Sequence, residues 1–535
     1  MSSDMITHLE LTDPPTPSRN PDIALDNCGR EAASPPAVRT PELQNDDIGT
    51  RTEMPGISAS ALIFSLSLTT AIPSFLNGAI VVCLPKIAAD IHISRNLLLW
   101  PASIFSLVSG CTLLLSGALV DVFGAPPLFH LGCLLQLLAN ILCGFSQAGY
   151  QFIAFRAVAG LANSLCLPPA VSITTKIFSN GKRRNIAFAS MGGGQPVGFS
   201  IGLCLGGVIA DTIGWKWTFY SGAILNSLNM LVAIAMLPSI GPPRKITFHL
   251  LLHGIDWTGA LLASAFLAII SYVLTTLASS GHNISHPTVI ALIILSCILA
   301  GAFCLWIRYQ EGAGRTALFP TAIWSNRVFT SVCVNVFLVW GAFNATETLA
   351  SLFFQYVQGL SALQTSVRLL PAPVGGVLAS ILVGLFIQRV RADVLSIFAV
   401  ITASLAPLLM AIVNPDWPYW ACIFPAMATN AIGADTLYTI SNLVMTASLP
   451  QERHGIAGGV YNTIAQIGRS FGLTTSTIVA NLVTDKYPGS EHDSPLALLD
   501  GYRAAFWYCF AANLVTLCVV GLGLRRIGRV GVKDD

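Results

Sequence analysis

Four charged side chains lie inside long apolar stretches of this sequence. Asp435 and Glu347 are acids, and Arg156 and Arg469 are bases, in segments otherwise rich in hydrophobic residues. Because a charge within a membrane is costly, such residues are functional candidates by default, and acids among them can relay protons. Asp435 is the strongest functional candidate among them. The sequence contains no hydrolase, zinc, haem or Walker A motif, so we expect no catalytic, metal-binding or cofactor-binding residues.

Amide side chains in similar apolar segments are further candidate residues, and some of the charged residues could form ion pairs. At about 1.5 Å per residue, Asp435 and Arg469 both lie about 20 Å from the cytoplasmic ends of consecutive predicted helices, so a pair is geometrically possible. Arg156 enters from the other face, near the level of Asn77, and a pair with Asp435 would have to bridge about 16 Å. The amide residues are Asn77, Asn163, Asn335, Asn430 and Gln466.

Glycine residues form two further patterns. At a predicted tight turn, Gly117 and Gly124 flank Asp121, where the missing side chains let two helices approach and the acid can cap the second helix or pair with a basic residue. In a later apolar segment glycine recurs every four residues, so one helix face has no side chains and another helix can pack closely against it. This segment contains Gly194, Gly198, Gly202, Gly206 and Gly207.

The composition indicates that lipid surrounds most of the chain. Of 535 residues, 53% are hydrophobic and only 10% are charged, whereas soluble proteins carry about 25% charged residues. The net charge of +2 gives no basic surface suited to nucleic acid. Twelve of the thirteen cysteines fall in apolar runs and none forms a Cys-x-x-Cys pair, so we interpret them as small apolar residues.

A spanning helix needs about 20 apolar residues, and fourteen runs of this kind predict an all-α membrane protein. The predicted spans, numbered 1 to 14, cover roughly 59–85, 97–120, 128–147, 151–173, 187–209, 217–237, 257–278, 287–308, 328–351, 366–388, 394–413, 419–448, 456–483 and 504–524.

Loop charges predict the orientation of these spans. With the N-terminus in the cytoplasm, sixteen of the 28 Lys and Arg residues lie on cytoplasmic loops and the C-terminal tail, and six lie on the opposite side. This bias places both termini in the cytoplasm. Residues 1–56 contain eight prolines and predict a disordered cytoplasmic tail. Asn283 begins a glycosylation sequon in a predicted outer loop, while the sequon at Asn344 lies close to the membrane.

These motifs together resemble the major facilitator superfamily. The turn at 117–124 is similar to its signature between helices 2 and 3, and Arg156 with Gly160 is similar to its helix-4 signature. The glycines at 194–207 resemble the antiporter signature of drug:proton exporters. The fourteen spans, with Trp215 and Asp256 in short motifs between them, resemble the fourteen-helix drug:proton antiporter branch, including fungal pumps for toxins and secondary metabolites.

The resemblance implies a domain plan and a cavity. It predicts an N-terminal six-helix bundle at 57–240, two inserted helices with flanking loops at 241–327, a C-terminal six-helix bundle at 328–524 and a cytoplasmic tail at 525–535. The cavity of this family would be lined here by spans 1, 4, 9 and 12. Three features depart from the pattern. The turn signature usually continues with basic residues, whereas this chain has Ala125-Pro126-Pro127. Leu203 stands where the antiporter signature has proline, and Asn77 stands where the branch often has an acid. Asparagine cannot carry a proton at physiological pH, which moves that role to Asp435 or Glu347.

The function implied by the resemblance is secondary active export of a small organic molecule, such as a drug, toxin or secondary metabolite, in exchange for protons. Its partners would be the substrate, protons and the lipid bilayer, and we expect a monomer in the cell membrane, with the vacuolar membrane as the alternative. A proton-coupled importer or facilitator for a nutrient or iron chelate would have the same fold. A receptor derived from this fold would carry a long folded extension, which the sequence does not predict.

Overall fold

The computed structural model describes residues 56–94, 97–178, 182–237, 256–279, 286–314, 321–386, 390–448, 454–487 and 494–525. The sequon at Asn283 and almost all of both predicted tails lie outside these ranges. All regular secondary structure in the described residues is helical.

We number the long helices by the predicted spans to which they correspond. They are α1 (Gly56–Asp90), α2 (Trp100–Phe123), α3 (Ala125–Phe145), α4 (Gly149–Ile177), α5 (Lys182–Thr212), α6 (Lys216–Met236), α7 (Trp257–Ser279), α8 (Pro287–Gly312), α9 (Arg327–Leu352), α10 (Ala362–Leu369 and Pro371–Phe386), α11 (Ala392–Ile412), α12 (Ile423–Ser448), α13 (His454–Thr484) and α14 (Pro495–Gly523). A short helix, Thr321–Trp324, precedes α9, and a π-helical segment, Phe353–Val357, follows it.

Twelve segments of the described chain are long and apolar enough to span a membrane. The two long helices outside this set are α12 and α13, with 26 and 31 residues. Both are long enough to span, but they carry Asp435, Arg469 and many hydroxyl and amide residues, which lower their mean hydropathy. The count of fourteen spans therefore remains a prediction, and the two spans it adds contain candidate site residues.

Two predicted spans differ from the observed helices for identifiable reasons. Span 10 is broken at Leu370, because Pro371 begins a new helical segment and cannot donate the backbone hydrogen bond that a continuous helix requires. Helix α14 begins at Pro495 instead of residue 504. The Ser494 side chain accepts a hydrogen bond from the Ala497 backbone N–H and caps the helix, whose first turns carry charged residues that obscured the start.

The helices pack mainly within two sets. Helix α5 packs along α1, α4 packs on α2 and α3, and α6 packs on α1 and α3. In the second set α9 packs on α12, α13 and α14, and α11 packs on α12 and α14. The sets meet chiefly where α2 contacts α13 and where α5 contacts α10. The domain boundaries assigned from the sequence remain a prediction.

Helices α7 and α8 lie outside this arrangement. Helix α7 packs on α2 and α13, and α8 packs mainly on α7. Only 22% of the apolar segment of α7 and 11% of that of α8 are buried, against 72% for α1. The Ser264 hydroxyl of α7 donates a 2.9 Å hydrogen bond to the Cys111 carbonyl of α2. This pair of helices therefore covers the seam at which α2 meets α13.

Candidate functional site

A cavity lies between the two sets of helices. It contains about 800 Å³ of empty space, including the open solvent at its mouth. Helices α1, α2 and α5 supply one wall, and α9, α10, α12 and α13 supply the other. The polar side chains of the first wall, such as Asn77 and Gln195, are all uncharged, whereas the second wall carries Glu347, Asp435 and Arg469. The ionisable groups of the cavity thus all belong to the second set of helices.

Of the residues predicted from the sequence, four line this cavity: Asn77, Glu347, Asp435 and Arg469. The other predicted polar residues lie behind its walls. Asn163 of α4 is buried and donates a 2.8 Å hydrogen bond from Nδ2 to the Ser109 hydroxyl of α2. Asn335 of α9 is fully buried, and neither of its amide atoms has a hydrogen-bond partner in the described chain. Gln466 of α13 lies against Gly110 of α2.

Glu347 is fully buried on α9. Its Oε1 atom accepts a 3.4 Å hydrogen bond from Nδ2 of Asn430 on α12, and Oε2 has no hydrogen-bond partner among the described residues. Burying an ionised carboxylate without a cationic partner is costly, and taking up a proton removes that cost. The surroundings of Glu347 therefore suit a carboxyl group that gains and loses a proton.

Asp435 and Arg469 do not form the ion pair that the sequence made possible. Both line the cavity, but no nitrogen–oxygen distance between them falls within 4.0 Å, and the Arg469 guanidinium lies over the Trp340 ring at 4.2 Å. The reason lies in the packing of α13, which contacts α12 little and approaches α9 closely. At Gly468 and Gly472 an added Cβ would overlap the α9 backbone, so Arg469 is brought to Trp340 instead of Asp435.

Arg156 lies behind the first wall, so the prediction that α4 lines the cavity is wrong for this cavity. Its side chain is fully buried and points towards α1 and α2. Nη2 donates a 2.6 Å hydrogen bond to Oδ1 of Asn77, and Nε donates a 3.2 Å hydrogen bond to the Pro101 carbonyl. The guanidinium carbon is 4.7 Å from the centre of the Phe105 ring. Arg156 therefore reaches the cavity only through Asn77.

We expect Asn77→Asp to stabilise the protein. The Arg156 guanidinium is buried, its Nη1 atom has no partner in the described chain, and the side-chain acceptor it does have is an uncharged amide. An aspartate would pair this buried cation with an anion and offer a second oxygen to Nη1, and a buried donor left unsatisfied costs roughly 1–3 kcal/mol, so thermal unfolding in detergent should move to higher temperature. Asn77→Ala is the control and should destabilise. An unchanged or lower unfolding temperature for Asn77→Asp would contradict this account of Arg156.

The glycine face of α5 lies directly on α1. At Gly194, Gly198, Gly202 and Gly206 an added Cβ would come within 3.0 Å of α1 atoms, and at three of these positions the nearest atom belongs to the α1 backbone. Gly207 points elsewhere, because its neighbours are the Ala362 carbonyl and the Ser366 hydroxyl of α10. The row predicted as one interface thus serves two, one within the first set of helices and one between the sets.

The turn motif between α2 and α3 is only partly as predicted. Gly124 ends α2 with φ of 84° and donates a 2.9 Å hydrogen bond to the Val120 carbonyl, so glycine is suited to this position. The close helix approach predicted at Gly117 is wrong, because an added Cβ there would meet no atom of the described residues within 4 Å. The reason is that α2 and α3 contact each other little, and both pack instead on α4. The Asp121 side chain lies outside the description.

Sequence reasoning missed several residues of the site. Gly468 and Gly472 bring α13 onto α9, and their spacing of four residues was the signal that could have identified them. Gln195 of α5 faces the cavity beside Pro196, and an amide in the middle of an apolar span was again a usable signal. The aromatic contact between Phe199 of α5 and Phe343 of α9, at 6.1 Å between ring centres, had no sequence signal.

Comparisons with known proteins place this architecture in a family. The sequence profile of the Major Facilitator Superfamily matches residues 65–473. The chain is 35% identical to MFS-type transporter 1 of Pyricularia oryzae, over 94% of this chain and 89% of that protein. It is 26% identical to efflux pump terJ of Aspergillus terreus, over 81% of each chain. It is 25% identical to a low affinity ammonium transporter of Saccharomyces cerevisiae, over 80% and 79% of the two chains.

The fold has a counterpart among solved structures. A bacterial homologue of the human lysosomal transporter Spinster, in an inward-facing and unoccupied conformation, superimposes with a TM-score of 0.56 at 15% identity, over 89% of this chain and 98% of that one. The chain therefore belongs to the Major Facilitator Superfamily and has its all-helical fold. It is an integral membrane protein that transports small molecules, and it is not an enzyme.

Proposed function

We propose that this protein exports a small organic molecule across the cell membrane in exchange for protons. The observation that carries the proposal is the position of Glu347 and Asp435, two carboxyl groups on one wall of the central cavity with no base at ion-pair distance in the described chain. Such groups can alternate between a protonated state and a state that binds substrate. The cavity also supplies aromatic, apolar and amide side chains, which suit organic molecules.

In this mechanism the two sets of helices rock about the cavity. A proton enters from outside and neutralises a cavity carboxyl, which favours the return to the inward-facing state. Release of the proton to the cytoplasm then restores the charge and allows the next substrate to bind. The charges of the loops support an orientation with both termini in the cytoplasm, which makes the end of α5 the outer end of the cavity.

Export is favoured over import by the name of one relative, efflux pump terJ, and by the glycine face of α5, which resembles the antiporter signature. The alternative is a proton-coupled importer, and it is favoured by the relative named as a low affinity ammonium transporter. A comparison of compound accumulation in cells with and without the protein distinguishes the two. Loss of an exporter raises accumulation, whereas loss of an importer lowers it.

We expect Asp435→Asn and Glu347→Gln to remove the proton dependence of transport. Proteoliposomes with an imposed pH gradient would be tested with a panel of radiolabelled organic cations, anions and neutral compounds. Each substitution keeps the size of the side chain but removes its ionisation, so stimulation by the pH gradient should fall about tenfold or more. Asn335→Asp is unsuitable as a control because it adds a buried charge; Ser200→Ala, in the opposite wall, is the matched control.

Two results would contradict the proposal. Gradient-driven transport that is unchanged in the double variant, with normal insertion into the membrane, would show that these acids do not couple protons. Uptake of the labelled compound in the direction of proton flow would replace exchange by cotransport. Full activity in the Ser200→Ala control would show that loss of transport in the acid variants is not a general effect of altering the cavity.

A further inference from the structure

The Asp435 carboxyl lies against a glycine of the broken helix α10. Its Oδ2 atom is so close to Gly376 that a Cβ on that residue would overlap it, and the same Cβ would lie 3.4 Å from Cγ. The adjacent Gly375 faces α12 in the same way, against the Ala428 carbonyl. The second segment of α10 therefore lies flush on α12, and the missing side chain at Gly376 provides the space that the carboxyl occupies.

The charged groups around Asp435 are few. Among the elements packed on α12, helix α9 contributes Glu347 and α13 contributes Arg469, and both line the same cavity. On α11, Arg391 and Asp393 pair with each other at 2.7 Å. The only charged residue in the described part of α10 is Arg368, which donates a hydrogen bond to the Gln358 side chain. The nearest base that Asp435 could approach is therefore Arg469.

Each partner of that missing ion pair is held by a different neighbour. The guanidinium of Arg469 is stacked on Trp340, and the carboxyl of Asp435 occupies the space at Gly376. We propose that Gly376 is a positioning residue that holds the Asp435 carboxyl against α10 and away from Arg469, so that the acid remains free to exchange its proton. This inference rests on the proposed function for its role in transport, although the positioning itself can be tested without transport.

The position of Gly376 is linked to the contact between the two sets of helices. The first segment of α10 is attached to α5, because the Ser366 hydroxyl donates a 2.6 Å hydrogen bond to the Leu203 carbonyl and accepts one of 3.1 Å from the Gly207 N–H. Separation of α10 from α5 would therefore displace the helix against which Asp435 lies. In this way movement of α10 would alter how readily Asp435 takes up a proton.

Gly376→Ala tests the positioning. The added methyl group excludes the carboxyl from its present place, and the open space left to it is the cavity it shares with Arg469. Because an adjacent guanidinium stabilises the ionised carboxylate, we expect the Asp435-dependent part of the pH profile to move to lower pH by about one unit. The measurement is the unfolding temperature of the purified full chain in detergent between about pH 4 and 9, a range that begins near the ordinary pKa of an aspartate. Asp435→Asn identifies the part of the profile that belongs to this acid.

Two further variants make the result decisive. Gly193→Ala adds the same methyl group at a position where no atom of the described chain lies within 4 Å, and it should leave the profile unchanged. Gly376→Ala combined with Arg469→Gln should lose the acid shift, because the guanidinium is gone. A wild-type profile for Gly376→Ala, or a shift that survives Arg469→Gln, would overturn the inference. If the shift occurs but transport does not depend on the pH gradient, the positioning stands and the proposed exchange for protons fails.

Discussion

Gly202→Ala is expected to prevent normal assembly of the first set of helices. An added Cβ would lie within 3.0 Å of three atoms of α1, all of them backbone atoms of Phe75 and Ala79. Backbone atoms cannot rotate away as a side chain can, so α1 and α5 would have to separate along a contact that runs from Gly194 to Gly206. We expect a loss of about 3 kcal/mol in stability, the upper end for overpacking of a well-packed core.

The measurement for Gly202→Ala is the amount of folded protein in the membrane, followed by the unfolding temperature of the purified protein. Gly193→Ala is the matched control, because it lies on the same helix and has no atom within 4 Å of its added Cβ. Helix propensity alone would make both substitutions slightly stabilising, since alanine is preferred over glycine in a helix. Equal stability of the two variants would therefore show that the close approach of α5 to α1 does not restrain the fold.

The contrast between these glycines shows what the sequence could and could not predict. The period of four along α5 predicted a face without side chains, because helix geometry alone places residues i and i+4 together. It could not predict which helix lies on that face, nor that Gly207 turns towards α10. Those facts depend on the arrangement of helices distant in sequence, for which a single chain carries no local signal.

The candidate site was predictable in depth but not in direction. Counting residues along each span placed Asp435 and Arg469 at one level, and both do line the cavity. The same counting could not give the direction in which each side chain leaves its helix or how closely consecutive helices pack. As a result the Asp435–Arg469 pair, which depth alone made possible, does not form, and Arg156 was assigned to a cavity from which α1 and α2 separate it. Neighbours in sequence need not be neighbours in space.

The least apolar spans were the most informative ones. Helices α12 and α13 fall short of the hydropathy expected for a membrane span, yet they carry Asp435, Arg469 and the glycines that set the position of α13. Their surroundings are other helices and a cavity, so their side chains need not be apolar throughout. The polar residues that lower the hydropathy of these helices thus fit the role that we propose for them.

Gly207→Ala is expected to shift the protein towards a conformation in which the end of the cavity near the end of α5 is open. An added Cβ would overlap the Ala362 carbonyl and the Ser366 hydroxyl, which hold the first segment of α10 on α5. The same contact includes Oδ2 of Asp211, which accepts a 2.8 Å hydrogen bond from the Leu363 N–H. All of these contacts join the two sets of helices, so they exist only while this end is closed.

The size of the shift follows from the contacts that the methyl group disrupts. Overlap with a backbone carbonyl costs up to about 3 kcal/mol, and the lost hydrogen bond to Ser366 adds about 1 kcal/mol. Together these terms reach about 4 kcal/mol, and a change of that size alters a two-state equilibrium on the order of a thousandfold. Unlike Gly202→Ala, this substitution leaves the packing within each set intact, so the protein should still fold and reach the membrane.

Thiol labelling measures the shift directly. Among the described residues that line the cavity none is a cysteine, so Ser200→Cys introduces a single cavity thiol whose reaction with a charged, membrane-impermeant reagent reports access. In the Gly207→Ala background, labelling from outside, the membrane face at which α5 is predicted to end, should be about tenfold faster or more, and labelling from the cytoplasmic face should be slower. Ser366→Ala removes the hydroxyl without adding bulk and should change the labelling rates in the same direction but by less. Equal labelling from both faces in all variants would mean that α5 and α10 do not close this end, and a reversed preference would mean that the predicted orientation of the chain is inverted.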